Sequence, residues 1–214
     1  MKHFFLIILA IFLAGCRKAE PAASRTLFVS IAPQQEAVQR IAGDAWEVRV
    51  LVPTGANPET YSPDAATLNR LARAAALFTI GVPMEEALLP KVRALNANLA
   101  VVDGRQGMTI EAFGDDEGDG DDPHVWLSIP NMRSFAATVA GELARLDAEH
   151  ARDYRERAAE YDGALAQLDA DILDRLAPLK GRPILVPDYR RTALRAELRQ
   201  NEGDRPFRSL GFVD

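Results

Sequence analysis

The side chains best suited to chemistry are His124, in Asp122-Pro123-His124-Val125-Trp126-Leu127-Ser128, and Glu59, in the loop Pro53-Thr54-Gly55-Ala56-Asn57-Pro58-Glu59-Thr60-Tyr61-Ser62-Pro63. Histidine is scarce, with 3 in 214 residues. Pro123 fixes its own φ and biases Asp122 toward an extended backbone, so His124 is presented on a stiff support with apolar residues behind it. An imidazole held in this way suits metal ligation or proton transfer, and equally suits packing before a buried strand end. Glu59 is the single charge of a loop stiffened by prolines. It can offer oxygen to a divalent cation, act as a general base, or remain an idle loop charge. His150, between Glu149 and Arg152 in the first turn of a helix, reads as solvent-facing.

The run Asp115-Asp116-Glu117-Gly118-Asp119-Gly120-Asp121-Asp122 invites a calcium reading. Counted from Asp115, position 6 is Gly120 as an EF-hand requires, but position 12 is Trp126 where a bidentate Glu is needed. That class of calcium site is excluded. A solvated acidic loop and weak cation gathering beside a cleft both remain.

The elements that must position these residues follow from periodicity. Residues 26–31 form a β-rich run, 35–41 have helical spacing closed by Gly43, and 48–52 are a second strand. Asp64 can cap a helix carrying Leu68, Leu71, Ala72 and Ala75, and the run 77–80 is a third strand. A helix over 84–95 and a strand over 99–102 complete the series. Strand and helix in strict turn predict an α/β fold, a parallel sheet covered by helices on both faces, with ligands beyond the carboxyl ends of the strands. The loops holding Glu59 and His124 both leave such ends. After Ser128 the pattern is helical only: one helix on Met132, Phe135, Ala136, Val139, Ala140 and Leu143, then a long one over 148–177. At 1.5 Å per residue that second helix spans about 45 Å, more than one small lobe needs. Gly181 ends it and Ile184-Leu185-Val186 begins another strand.

At 48% apolar content the chain can bury a core, and Lys+Arg 25 against Asp+Glu 31 gives a net charge of -6 that recommends no nucleic-acid partner. A single cysteine, Cys16, excludes an internal disulfide and a cysteine-rich zinc site. It follows a short basic start and an apolar run too brief to span a bilayer comfortably, which reads as a secretion signal. Leu13-Ala14-Gly15-Cys16 resembles the bacterial lipobox, which implies a signal peptide over 1–16, lipid attachment at Cys16 and a polar tether over 17–25.

Taken together, the chain resembles the zinc/manganese solute-binding proteins of bacterial ABC transporters. The carrying motifs are Ser30-Ile31-Ala32-Pro33, Ile41-Ala42-Gly43-Asp44, Val52-Pro53 with Gly55-Ala56-Asn57-Pro58, Ile80-Gly81-Val82-Pro83-Met84-Glu85 and Asp122-Pro123-His124-Val125-Trp126-Leu127-Ser128. The resemblance implies an N-terminal α/β metal-binding lobe over 26–127 and a helical linker over 128–180 including the backbone helix. It also implies a second α/β lobe, mostly missing here, of which 181–214 are the remnant. It further implies Zn²⁺ or Mn²⁺ as transported ligand, His124 as one metal ligand, and Glu59 where the family places a histidine. Asp188 stands where the family's third ligand would follow the strand over 184–186. The implied partners are the transporter's permease and ATPase, and the membrane through the lipid anchor. The implied protein is a periplasmic or cell-surface monomer and not an enzyme. Two other functions stay open: an adhesin-type lipoprotein, as some family members are, and a zinc hydrolase with Glu59 as base and His124 as ligand.

Overall fold

The computed structural model describes residues 24–112 and 121–180. Cys16, Asp188, the strand expected over 184–186 and most of the acidic run lie outside them.

Four short strands form one parallel sheet: β1 (Thr26–Val29), β2 (Glu47–Val50), β3 (Ala76–Thr79) and β4 (Ala100–Asp103), in the order β2-β1-β3-β4. The register pairs Leu27 with Val48 on one side and with Ala76 on the other, and Leu77 with Val101. Strands β1, β2 and β3 each end one or two residues before their apolar runs do, because the last residues turn into the loops, whereas β4 runs one residue past its expected end to Asp103. Leu51 and Val52 still bond to β1, through the carbonyls of Val29 (2.8 Å) and Ser30 (3.0 Å), before Pro53 removes the next donor.

The helices are α1 (Ala32–Ala42), α2 (Ala65–Leu71), α3 (Met84–Leu95), α4 (Ile129–Leu146) and α5 (Ala151–Leu176). Asp64 caps α2 by accepting the Thr67 amide at 2.7 Å, and Ser128 caps α4. Helix α1 packs with α4 and α5, while α2 packs with α3. Right-handed crossovers require this division, since the chain leaves β1 in one direction and returns from β2 and β3 in the other. The expected α/β lobe with helices on both faces is therefore present.

The sheet changes direction between β1 and β3, and buried polar side chains hold that point. Gln34, fully buried, accepts the amides of Ser30 (3.0 Å) and Ile31 (3.2 Å) and donates to the carbonyls of Phe78 (3.3 Å) and Thr79 (3.2 Å). Across from it the Glu85 carboxylate accepts the amides of Ile80 (2.9 Å) and Gly81 (2.8 Å). Burial pushes the Glu85 carboxyl above its ordinary range, and those hydrogen bonds offset part of the rise. Gly81 has φ +85, a left-handed conformation that favours glycine, and a Cβ there would push the Arg105 side chain aside.

Residues 148–150 are a 3-10 turn, and α5 proper starts at Ala151 rather than at 148. Its first half is docked: the Arg157 guanidinium donates to the carbonyls of Ile41 (2.7 Å) and Ala42 (3.3 Å), and Arg133 of α4 grips Asp162 through two hydrogen bonds of 2.6 and 2.9 Å. The second half carries Leu168 exposed, and its buried residues stop at Tyr161.

His150 is exposed, as expected, and it also pairs with a carboxylate. Its Nδ1 lies 3.0 Å from Asp147 Oδ1. The other Asp147 oxygen accepts from Arg25 (2.5 Å) and from the Tyr154 hydroxyl (3.0 Å), which itself accepts the Trp46 indole N–H at 2.8 Å. This network joins the chain entering β1 and β2 to the α4–α5 corner, at the amino end of the sheet. Among the described residues no helix is long and apolar enough to cross a membrane.

Candidate metal centre

Glu59 and His124 both stand on the carboxyl rim of the sheet, on loops leaving β2 and β4, its two outermost strands. Three steps of about 4.8 Å separate those strands, so any meeting of the two loops must span about 14 Å by reaching inward.

The first loop is shaped by Asn57. Its side-chain oxygen accepts the Glu59 amide at 2.8 Å, and its carbonyl accepts the amides of Thr60 (3.3 Å) and Tyr61 (3.0 Å). An asparagine bonding its own backbone two residues on is a self-contained turn, and Pro58 fixes the φ between. Glu59 is thereby carried on the crest of a tight turn with its side chain exposed to solvent.

The second loop is built more firmly. Gly104 lets it leave β4 closely: a Cβ there would lie 2.4 Å from the Thr79 carbonyl and 2.7 Å from the Phe135 ring. Asp103 then holds Arg105 through its amide (3.0 Å) and its guanidinium (3.0 and 3.1 Å). The two ends of the loop are tied together where Ala112 bridges Asp121 and the Asp122 amide donates to the Glu111 carbonyl at 2.8 Å. Asn131, buried at the start of α4, makes a double clamp. It accepts the Thr109 amide (2.9 Å) and donates to the carbonyls of Thr109 (2.9 Å) and Val125 (3.2 Å).

His124 hangs from that clamped loop. Val125–Leu127 is a 3-10 turn, with Val125 buried and Trp126 half-buried. The imidazole Nδ1 lies 2.6 Å from Asp122 Oδ1, the same oxygen accepts the His124 amide at 2.9 Å, and the ring leans on Trp126 with centroids 5.2 Å apart. The His124 side chain keeps 25% of its surface exposed while that of Asp122 keeps 7%. Asp122 and Asn131 are the site residues that sequence reading passed over. Asp122 was visible as a residue stiffened by Pro123, and the signal for Asn131 is a polar residue next to the first apolar position of α4.

Chemically, the rim offers one aromatic nitrogen and one carboxylate oxygen, donors suited to Zn²⁺ and Mn²⁺. Among the described residues no group of three or more His, Cys, Asp or Glu side chains is gathered closely enough to hold a metal ion. His150 belongs to the opposite, amino rim and joins neither.

Comparison with known proteins bears on this arrangement. The sequence model described as "Zinc-uptake complex component A periplasmic" matches residues 27–188. The manganese-binding lipoprotein MntA of Halalkalibacterium halodurans is 26% identical over 200 residues, which are 91% of this chain and 63% of that protein. The manganese ABC transporter substrate-binding lipoprotein PsaA of Streptococcus pneumoniae is 29% identical over 143 residues, 62% of this chain and 45% of that one. The chain thus spans less than two thirds of the length of these relatives. Among solved structures, a crystal structure of ZnuA superposes with a TM-score of 0.72 at 33% identity, covering 81% of this chain and 67% of that chain. The solute-binding protein FpvC of Pseudomonas aeruginosa in complex with Mn²⁺ superposes at 0.62 with 28% identity, covering 70% and 55%.

Proposed function

The chain belongs to the zinc-uptake complex component A periplasmic family, and from that premise we propose that it is the metal-binding component of a bacterial ABC uptake system, with Zn²⁺ or Mn²⁺ as its cargo. The observation that carries the proposal is the clamped loop bearing His124, a partly exposed imidazole on the rim where parallel α/β sheets bind ligands. A structural histidine needs no such exposure. His124 is the nitrogen ligand in this reading, and Glu59 supplies oxygen from the loop across the rim. A carboxylate in place of imidazole moves the preference toward harder ions, so Mn²⁺ gains on Zn²⁺ relative to an all-histidine pair. Ligands from elsewhere in the protein complete the coordination shell.

The division into a metal-binding lobe over 26–127, a helical linker over 128–180 and a further lobe from 181 is part of the proposal. So are lipid attachment at Cys16 after removal of residues 1–16, the tether over 17–25, an extracytoplasmic place at the membrane, a monomeric state, and delivery to a permease and its ATPase. The family is one of transport components, and binding without turnover is the role proposed here. The test is calorimetric titration of the full chain with Zn²⁺ and with Mn²⁺ beside His124→Ala. One-to-one binding lost in the variant is expected. Equal binding by the variant refutes the assignment, and ester or phosphoester hydrolysis that vanishes in Glu59→Ala replaces transport with catalysis.

A further inference from the structure

We propose that Asp122 is a positioning residue for His124: it holds the imidazole proton on Nδ1 and leaves Nε2 as the bare nitrogen that meets the cation. This rests on the reading of His124 as a metal ligand. A neutral imidazole carries one ring proton, and only the other nitrogen has a lone pair to donate. Asp122 Oδ1 already accepts the amide N–H of His124 at 2.9 Å, so it is placed as an acceptor, and the ring nitrogen 2.6 Å away is Nδ1. A carboxylate oxygen has lone pairs for both bonds.

The support is rigid. Asp122 is buried to 6% exposure, and its own amide, tied to the Glu111 carbonyl at 2.8 Å, fixes the backbone from which the carboxylate projects. Trp126 leans against the ring at a tilt of 57°, and Asn131 fixes the turn through the Val125 carbonyl. With Nδ1 occupied, the Nε2 edge is what remains for a ligand. Without the carboxylate the ring is free to hold its proton on Nε2, which must then be displaced before a metal can bind.

The test uses Asp122→Asn. Asparagine has one uncharged oxygen: turned toward His124 it is a weaker acceptor for both N–H groups than the carboxylate, and turned away it puts its NH₂ group against Nδ1 and favours the Nε2–H form, so either arrangement loosens the hold on Nδ1–H. In metal-free full chain labelled with ¹⁵N-histidine, long-range ¹H–¹⁵N spectra at a pH where the ring is neutral are expected to show His124 protonated on Nδ1. The variant is expected to lose that form and to bind Mn²⁺ and Zn²⁺ about 10–100-fold more weakly at an unchanged unfolding midpoint. An Nε2–H ring in the unmodified chain overturns the inference without any variant, and so does unchanged affinity in Asp122→Asn. If that variant fails to fold, the tautomer of the unmodified chain decides alone. An unmodified chain that binds neither metal while His124 is in the Nδ1–H form refutes the metal reading and leaves the aspartate's hold on the proton standing.

Discussion

Replacing Asp147 with alanine should unsettle the molecule far from the metal rim. The carboxylate is buried, and the Tyr154 hydroxyl that donates to it is buried as well. Removing the acceptor strands that hydroxyl proton at about 1–3 kcal/mol. Arg25 loses a charged partner, but its side chain is 51% exposed, so solvent screening holds that loss to at most about 1 kcal/mol. The sum is about 3 kcal/mol, which for a chain of this size lowers the unfolding midpoint by about 6–12 °C. Denaturant titration followed by Trp46 fluorescence reads it directly, because that indole donates into the same network. Tyr154→Phe and the double variant close a cycle whose coupling should be about 0.5–3 kcal/mol. A loss below about 1 kcal/mol for Asp147→Ala, with no coupling to Tyr154, would refute the network as a source of stability.

The same corner should make stability depend on pH. The hydrogen bond to Asp147 and its charge raise His150 above its ordinary value of 6.5, so the contribution is complete below that value and fades as pH rises through the raised one. The midpoint should therefore fall as pH rises past 6.5 and through the raised value, and more gently in His150→Gln. Asp147 is held well below its ordinary 3.8 by His150 and Arg25, so its own contribution holds above that value and is lost only as pH falls toward the lowered one. Gly104→Ala forces a methyl against the Thr79 carbonyl and the Phe135 ring and should cost about 1–3 kcal/mol, read as a lower denaturant midpoint. Glu59→His should raise the ratio of Zn²⁺ to Mn²⁺ affinity, on the order of tenfold, in competition titrations while leaving the melt unchanged, since that side chain is exposed.

The fold was legible because its signals are local. Runs such as Leu77-Phe78-Thr79 can only be buried strands in this setting, and the caps at Asp64 and Ser128 act within three residues of themselves. The helix over Met84–Leu95 matches its expected bounds despite Pro90, because its apolar positions keep their spacing. His124 and Glu59 were legible as residue types on strand-end loops. What the sequence hid was what holds His124. The Asp122 contact joins residues two apart, with no periodicity to betray it, and Asn131 reaches back 22 positions to Thr109. Trp46 and Tyr154 are 108 positions apart, and nothing near either one announces the other.

The placement of the Asp147 network at the amino end of the sheet and of Glu59 and His124 at the carboxyl end divides the molecule's obligations. Substitutions at the crest of the Asn57 turn leave untouched the bonds that fasten the helices to the strands. An exposed turn of this kind is open to revision by single codon changes, whereas the foundations tolerate few. On the reading proposed above, such changes would tune the preference between Zn²⁺ and Mn²⁺ while the architecture stays the same.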